Sequence, residues 1–170
     1  MTAYVALLRA VNVGGRKLVM AELKRIAEEL GLGTPRTFIA SGNLLFTSGK
    51  SEEALASMLS KAIGEHMGAD VPVLVRTGAE LADVAAVNPF PNEPGNRVVA
   101  IFLENQPPAD ALTAASGARD ERMALGKREI YVAYGSSMAD SKLKIPAAAK
   151  GTARNMNSVA KMAALLKEME

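Results

Sequence analysis

Residues Tyr4 to Val11 read Tyr-Val-Ala-Leu-Leu-Arg-Ala-Val, almost without a polar interruption. A strand with one face in water alternates apolar and polar side chains, whereas a strand without that alternation is covered on both faces. The chain must therefore place material on each side of its first strand.

The segments that follow can supply it. The loop Asn12-Val13-Gly14-Gly15-Arg16-Lys17 leads into a helical pattern in which Met20, Leu23, Ala27 and Leu30 share one face, opposite Glu22, Lys24, Arg25 and Glu29, with Gly31 as the stop. Thr34 to Ile39 reads as a second strand, Ser41-Gly42-Asn43 as a turn and Leu44 to Thr47 as a third strand. A second helix opens at Ser51, carries Leu55, Leu59, Ala62 and Ile63 as its stripe, and closes at Gly68 before a strand over Val71 to Arg76. The order is βαββαβ, and it defines a ferredoxin-like subdomain over residues 1–77.

Residues 78–170 read as a second α+β subdomain with a C-terminal helix, the two halves forming one compact unit. A short helix near Ala79 to Ala86 precedes Asn88-Pro89-Phe90-Pro91-Asn92-Glu93-Pro94-Gly95, whose prolines exclude regular structure and make Phe90 an apolar anchor between the subdomains. Val98 to Leu103 is expected as a strand and Pro108 to Ala115 as a short helix. Met123 to Leu125 and Glu129 to Tyr134 are expected as a hairpin turning on Gly126-Lys127. The closing helix gathers Val159, Met162, Leu166 and Met169 on one face, so it should dock. The fold class expected is α+β, two ferredoxin-like (βαββαβ-type) subdomains packed together.

Composition excludes several chemistries. At 170 residues the chain buries about 70% of its unfolded surface without staples. It has no cysteine, which rules out disulfides, thiolate metal sites and cysteine nucleophiles. The N-terminus lacks the pattern of a signal peptide and no apolar run is long enough to span a bilayer, so a cytoplasmic protein with no membrane partner is expected. The single histidine, His66, falls at a predicted helix C-terminus, where the dipole favours a cation. No His/Asp/Glu group has ligand spacing, so neither a metal nor a cofactor is expected. The pairs Glu28-Glu29, Glu52-Glu53 and Asp120-Glu121 read as solvated charge.

Net charge is only +2, which argues against nucleic-acid binding by bulk electrostatics. Its distribution is uneven. From Ser141 to Lys167 the bases Lys142, Lys144, Lys150, Arg154, Lys161 and Lys167 occur with no acidic residue, a segment that reads equally as an anion-facing surface or as a solvated face.

Topology converts these elements into a candidate site. A right-handed crossover makes the second strand parallel to the first, and the third pairs antiparallel between them. The end of the first strand and the turn between the second and third then share one sheet edge, bringing loop 12–17 beside loop 40–43. The residues assembled are Arg9, Asn12, Gly14, Gly15, Arg16 and Lys17 with Ser41, Gly42 and Asn43. Glycines expose backbone N–H groups, and the helix starting near Met20 adds its positive end, a combination suited to phosphate or carboxylate. The glycine spacing is not that of a nucleotide-hydrolase phosphate loop.

Several segments carry a family likeness: Tyr4 through Gly15, Met20-Ala21-Glu22-Leu23, Arg36-Thr37-Phe38-Ile39-Ala40-Ser41-Gly42-Asn43, Asn88-Pro89-Phe90-Pro91 and Thr152-Ala153-Arg154-Asn155. Together they resemble the bacterial domain-of-unknown-function family 1697, nearly end to end. The resemblance implies two ferredoxin-like α+β subdomains and no established activity. Family members usually carry Gly where this chain has Ala10, Pro where it has Val19 and Trp where it has Met156. The last exchange keeps apolar volume but removes a stacking surface.

Three functions follow as alternatives. The first is a binding protein for a small anionic ligand, such as a nucleotide, a phosphorylated metabolite or a nucleic-acid backbone, using the residues above with Lys142, Arg154 and Asn155. The second is an enzyme acting on a phosphate or acyl group through Ser41, Lys142 or Arg154, which requires those groups to converge. The third is a protein-interaction module, which requires an exposed apolar patch and no concave polar site. An RNA-recognition sheet is rejected, because the first and third strands offer only Tyr4 and Phe46 and the aromatic-glycine run is missing.

Overall fold

A computed structural model of the chain describes residues 1–9, 18–38, 42–135 and 138–170. They form two compact units, Met1–Ala82 together with Met162–Glu170, and Asp83–Lys161.

The first unit contains the strands β1 (Thr2–Leu8), β2 (Gly33–Thr37), β3 (Asn43–Ser48) and β4 (Val73–Thr77), with helices α1 (Met20–Glu29) and α2 (Glu52–Met67). The sheet order is β2-β3-β1-β4, with every neighbouring pair antiparallel, so β2 runs parallel to β1 across β3. This is the ferredoxin-like order that the crossover rule requires.

Both faces of β1 are buried, as its unbroken apolar run demands. Tyr4, Ala6 and Leu8 face a core with Leu23, Ile26 and Ala27 of α1 and Leu55, Leu59 and Ile63 of α2. Each of the larger aliphatic side chains buried there contributes about 2 kcal/mol. Tyr4 and Phe46 stack across the β1–β3 pair, with ring centroids 5.8 Å apart. The other face carries Ala3, Val5, Leu7, Asn43, Leu45 and Arg76, all buried.

Local signals end the helices where the sequence places them. The Ser51 hydroxyl accepts the Ala54 N–H at 3.2 Å, and Gly68 takes φ +69° to close α2. His66 lies in that last turn, exposed. In α1 the cap is Leu30, and Gly31 follows with φ +78°.

The second unit repeats the sheet. Its strands β5 (Val98–Phe102), β6 (Arg122–Leu125), β7 (Glu129–Ala133) and β8 (Thr152–Asn155) take the order β6-β7-β5-β8, again antiparallel throughout. Helix α3 (Gly78–Ala86) leads into it and α4 (Met156–Met169) leaves β8. Of the apolar face expected of α4, Val159 in this unit and Met162 and Leu166 in the first are fully buried, while Met169 is only half-buried. Thr77 and Glu80 cap α3 reciprocally: Thr77 N–H donates to Glu80 Oε1 at 2.9 Å and Glu80 N–H to Thr77 Oγ1 at 3.0 Å.

Two expectations for this half need correction, and one strand was not foreseen. Residues Pro108 to Ala115 form turns rather than a helix, because the prolines before them and Gly117 after them leave too few residues to repay nucleation. The hairpin exists, but Gly126 N–H donates to Glu129 O at 2.7 Å, which makes Lys127-Arg128 the turn instead of Gly126-Lys127. The strand β8 was read only as part of a motif; four residues are too few to show a period.

Candidate functional site

The sheet edge at the C-terminal end of β1 is held by backbone hydrogen bonds. Leu8 N–H donates to Gly42 O at 2.9 Å and Arg9 N–H to Pro72 O at 3.0 Å. The exit of β1 thus lies between the β2–β3 turn and the entry to β4. Gly42 adopts φ +85°, a left-handed conformation that costs a residue with a Cβ about 1–2 kcal/mol. Asn43 is fully buried, and its Nδ2 donates to Phe38 O at 3.0 Å while Phe38 N–H donates to Asn43 O at 3.1 Å. Asn43 therefore locks both sides of the turn.

Leu18, 2% exposed, anchors the return of the chain into α1. The N-cap of α1 is Val19, which has no side-chain acceptor for the first-turn N–H groups. The positive end of this helix is left without the capping oxygen that Ser51 supplies to α2. Asn12, Gly14, Gly15, Arg16, Lys17 and Ser41 lie outside the described residues; Arg9, half-buried, with Gly42 and Asn43 marks where their loops begin or end.

Lys142, Arg154 and Asn155 belong to the second unit. Lys142 is exposed. Arg154 is 8% exposed, and its Nη1 donates to Thr152 Oγ1 at 2.8 Å and to Ala153 O at 2.9 Å. Burial lowers its pKa to about 10. Asn155 Oδ1 accepts the Ser158 N–H at 2.8 Å and caps α4. Met156, at the position of the family's usual Trp, is buried at 5% exposure.

The second unit has a counterpart of the β1 edge. Leu103 N–H donates to Arg128 O at 2.8 Å, as Leu8 does to Gly42. Phe102 pairs with Glu129 as Leu7 pairs with Asn43, so each third strand opens on a buried polar residue. Sequence reasoning did not single out Glu129 or Arg76 as buried, although a charged residue inside a short apolar strand is a visible signal. Phe90 is half-buried in the second unit, with the Arg122 guanidinium 5.1 Å above its ring and Glu93 paired to the same arginine.

A depression on α2 is lined by Ser57, Ser60, Lys61, Gly64, Glu65 and Asp70. Its charges are mixed, and the Ser60 hydroxyl is engaged with Val71 O at 2.9 Å, so it offers no convergent set of donors. Among the described residues no group of three His, Cys, Asp or Glu could hold a metal, and no helix is long and apolar enough to cross a membrane.

Two four-stranded antiparallel sheets of the same ferredoxin-like strand order, the first with the full βαββαβ succession and the second without α-helices between its strands, place the molecule among α+β proteins. The chain belongs to the family described as "Protein of unknown function (DUF1697)", whose model matches residues 1–131. It is similar to the solved structure of a conserved bacterial protein from Streptococcus pneumoniae, at 26% identity and a TM-score of 0.79 over 97% of this chain and 98% of that one. No curated protein matches.

Proposed function

We propose that the protein is a cytoplasmic binder of a small anionic ligand, a nucleotide, a phosphorylated metabolite or a nucleic-acid backbone segment, at the edge where loops 12–17 and 40–43 meet. The observation that carries this reading is the Leu8 N–H to Gly42 O bond, which ties the exit of β1 to the β2–β3 turn. Arg9 stands at that exit, and the α1 N-terminus opens two residues after Lys17. Arg9, Arg16 and Lys17 supply charge, Gly14 and Gly15 backbone donors, and Ser41 a hydroxyl.

A thermal-shift screen of nucleotides, polyphosphates and sugar phosphates tests it. A ligand at about 100 times its Kd raises Tm by about 5–10 °C for a chain of this size. That shift should vanish in Arg9→Gln and in Arg16→Gln/Lys17→Gln. No shift with any anion at millimolar concentration would overturn the reading.

A further inference from the structure

Lys142 and Lys144 sit on an extended segment whose alternate residues have opposite fates. Leu143 and Ile145 are half-buried against the core of the second unit, formed around Val99, Ile130 and Val132, while Lys142 and Lys144 are exposed. The segment is held in place. Ser116 and Lys144 exchange both backbone hydrogen bonds, at 2.9 and 2.8 Å, as an isolated antiparallel bridge. Gly117, at φ +77°, lies so close to the Lys142 carbonyl that a Cβ would come within 2.1 Å of its oxygen. The result is a narrow two-stranded ribbon, fixed on the unit, whose outward side shows two lysines beside the small exposed residues Ser116, Gly117 and Ala118. Lys150, also exposed, follows the single 3-10 turn Pro146–Ala148.

We infer that this ribbon is a docking surface for the phosphate backbone of a nucleic acid, separate from the β1 edge. Two residues of extended chain set the backbones of Lys142 and Lys144 about 6.6 Å apart, close to twice the ~3.4 Å spacing, measured along the duplex axis, of charges on one strand. Among the described residues none of the three lysines has a carboxylate within ion-pair distance. The nearest acids in sequence are Asp140 before Lys142 and Asp120 and Glu121 after Ala118; the Asp120 carboxylate lies beside Gly135, and Glu121 turns its Oε2 onto the Arg119 N–H at 3.1 Å. Small neighbours let a backbone approach closely. No aromatic side chain is exposed on the ribbon for a base to stack on, and Met138 is its one large exposed apolar neighbour, so contact is with phosphates and independent of base sequence. A protein partner of ordinary affinity would need an aromatic or arginine anchor at the centre of the patch, which the ribbon lacks.

Fluorescence anisotropy of the full chain with a labelled mixed-sequence DNA duplex tests this. The expected Kd is about 10⁻⁵–10⁻⁴ M at about 20 mM KCl, with log K falling against log salt at a slope of about −2.7 for three neutralised phosphates. Each single Lys→Gln change at 142, 144 or 150 should reduce that slope by about 0.9, and Lys142→Glu/Lys144→Glu/Lys150→Glu should abolish binding without changing Tm. Lys61→Glu on α2 should leave it intact. Absence of duplex binding at low salt overturns the inference, as does binding that survives the triple variant. Tighter capture of a poly-glutamate peptide than of duplex by the same lysines would assign the ribbon to an acidic protein instead and also overturn it. Arg9→Gln and Arg16→Gln/Lys17→Gln are measured alongside: duplex binding lost in these variants but kept in the triple lysine variant belongs to the β1 edge and overturns the ribbon, whereas binding lost only in the lysine variant supports the ribbon whatever the β1 edge binds.

Discussion

Arg76 and Arg154 occupy the same point of two separate sheets. Arg76 lies on β4 opposite Val5, with Leu45 on the far side of Val5; Arg154 lies on β8 opposite Ala100, with Tyr131 on the far side of Ala100. Both side chains are buried, at 1% and 8% exposure, on the sheet face turned away from the unit's own aliphatic core. A guanidinium is rarely placed there, since it must keep its donors satisfied away from water. Arg154 meets part of that demand through Thr152 and Ala153, and Arg76 through Val75 O at 3.3 Å.

Replacing either arginine by alanine removes a long buried stem and leaves its acceptors unmatched. Arg154→Ala and Arg76→Ala should each cost at least about 2 kcal/mol in urea denaturation, and Arg154→Met should recover most of the loss. A cost below about 1 kcal/mol at both sites would contradict the burial described.

Tyr131 is 2% exposed and its hydroxyl donates to Val84 O at 3.2 Å. Burial first, then the charges of Glu129 and Asp83, push its phenol well above the usual range; Tyr134 is raised by burial and then by Glu121. Above the ordinary phenol pKa of 10.0 the unfolded chain loses these protons while the folded chain keeps them, so stability falls as pH rises through that value. Tyr131→Phe should flatten the fall between about pH 9 and pH 11, at a cost near neutrality of about 1 kcal/mol for the lost hydrogen bond. Urea melts across that range measure both.

Asn155 is a helix cap by geometry, and capping has its own signature. Asn155→Ala should cost about 1 kcal/mol, while Asn155→Asp should cost almost nothing, because the two rank equally as N-caps. Equal losses in thermal denaturation would show that the side chain does something other than cap α4.

Gly117 combines a left-handed backbone with a lack of space, since a Cβ there would come within 2.1 Å of the Lys142 carbonyl oxygen. Gly117→Ala should therefore cost more than the about 1–2 kcal/mol of left-handed strain alone, because backbone must move as well. A smaller cost in urea denaturation would contradict the geometry of the ribbon.

The first unit was legible in the sequence because each of its signals is local and strong. Ser51 and Gly68 bracket α2 through chemistry that operates within one turn, and the handedness of the crossover then dictates which strand ends meet. The second unit was less so. Thr152-Ala153-Arg154-Asn155 carries no period a reader could use, yet pairing with β5 makes it a strand. Pro108 to Ala115 has a helix-opening proline but not the length. Burial of Arg76, Arg154 and Glu129 follows from tertiary placement and contradicts the usual exposure of their residue types. For the site, topology indicated correctly that the exit of β1 adjoins Gly42, while Asn155 and Arg154 were grouped by charge and polarity alone and take structural bonds within their own unit.

The most direct test of the β1 edge is a ¹H–¹⁵N correlation spectrum of the full chain titrated with pyrophosphate. Saturable shifts concentrated at the amides of Arg9, Gly42 and Asn43 and at the start of α1, from Val19 to Ala21, are expected. Shifts confined to the second unit, or none at all, would contradict an anion site at that edge.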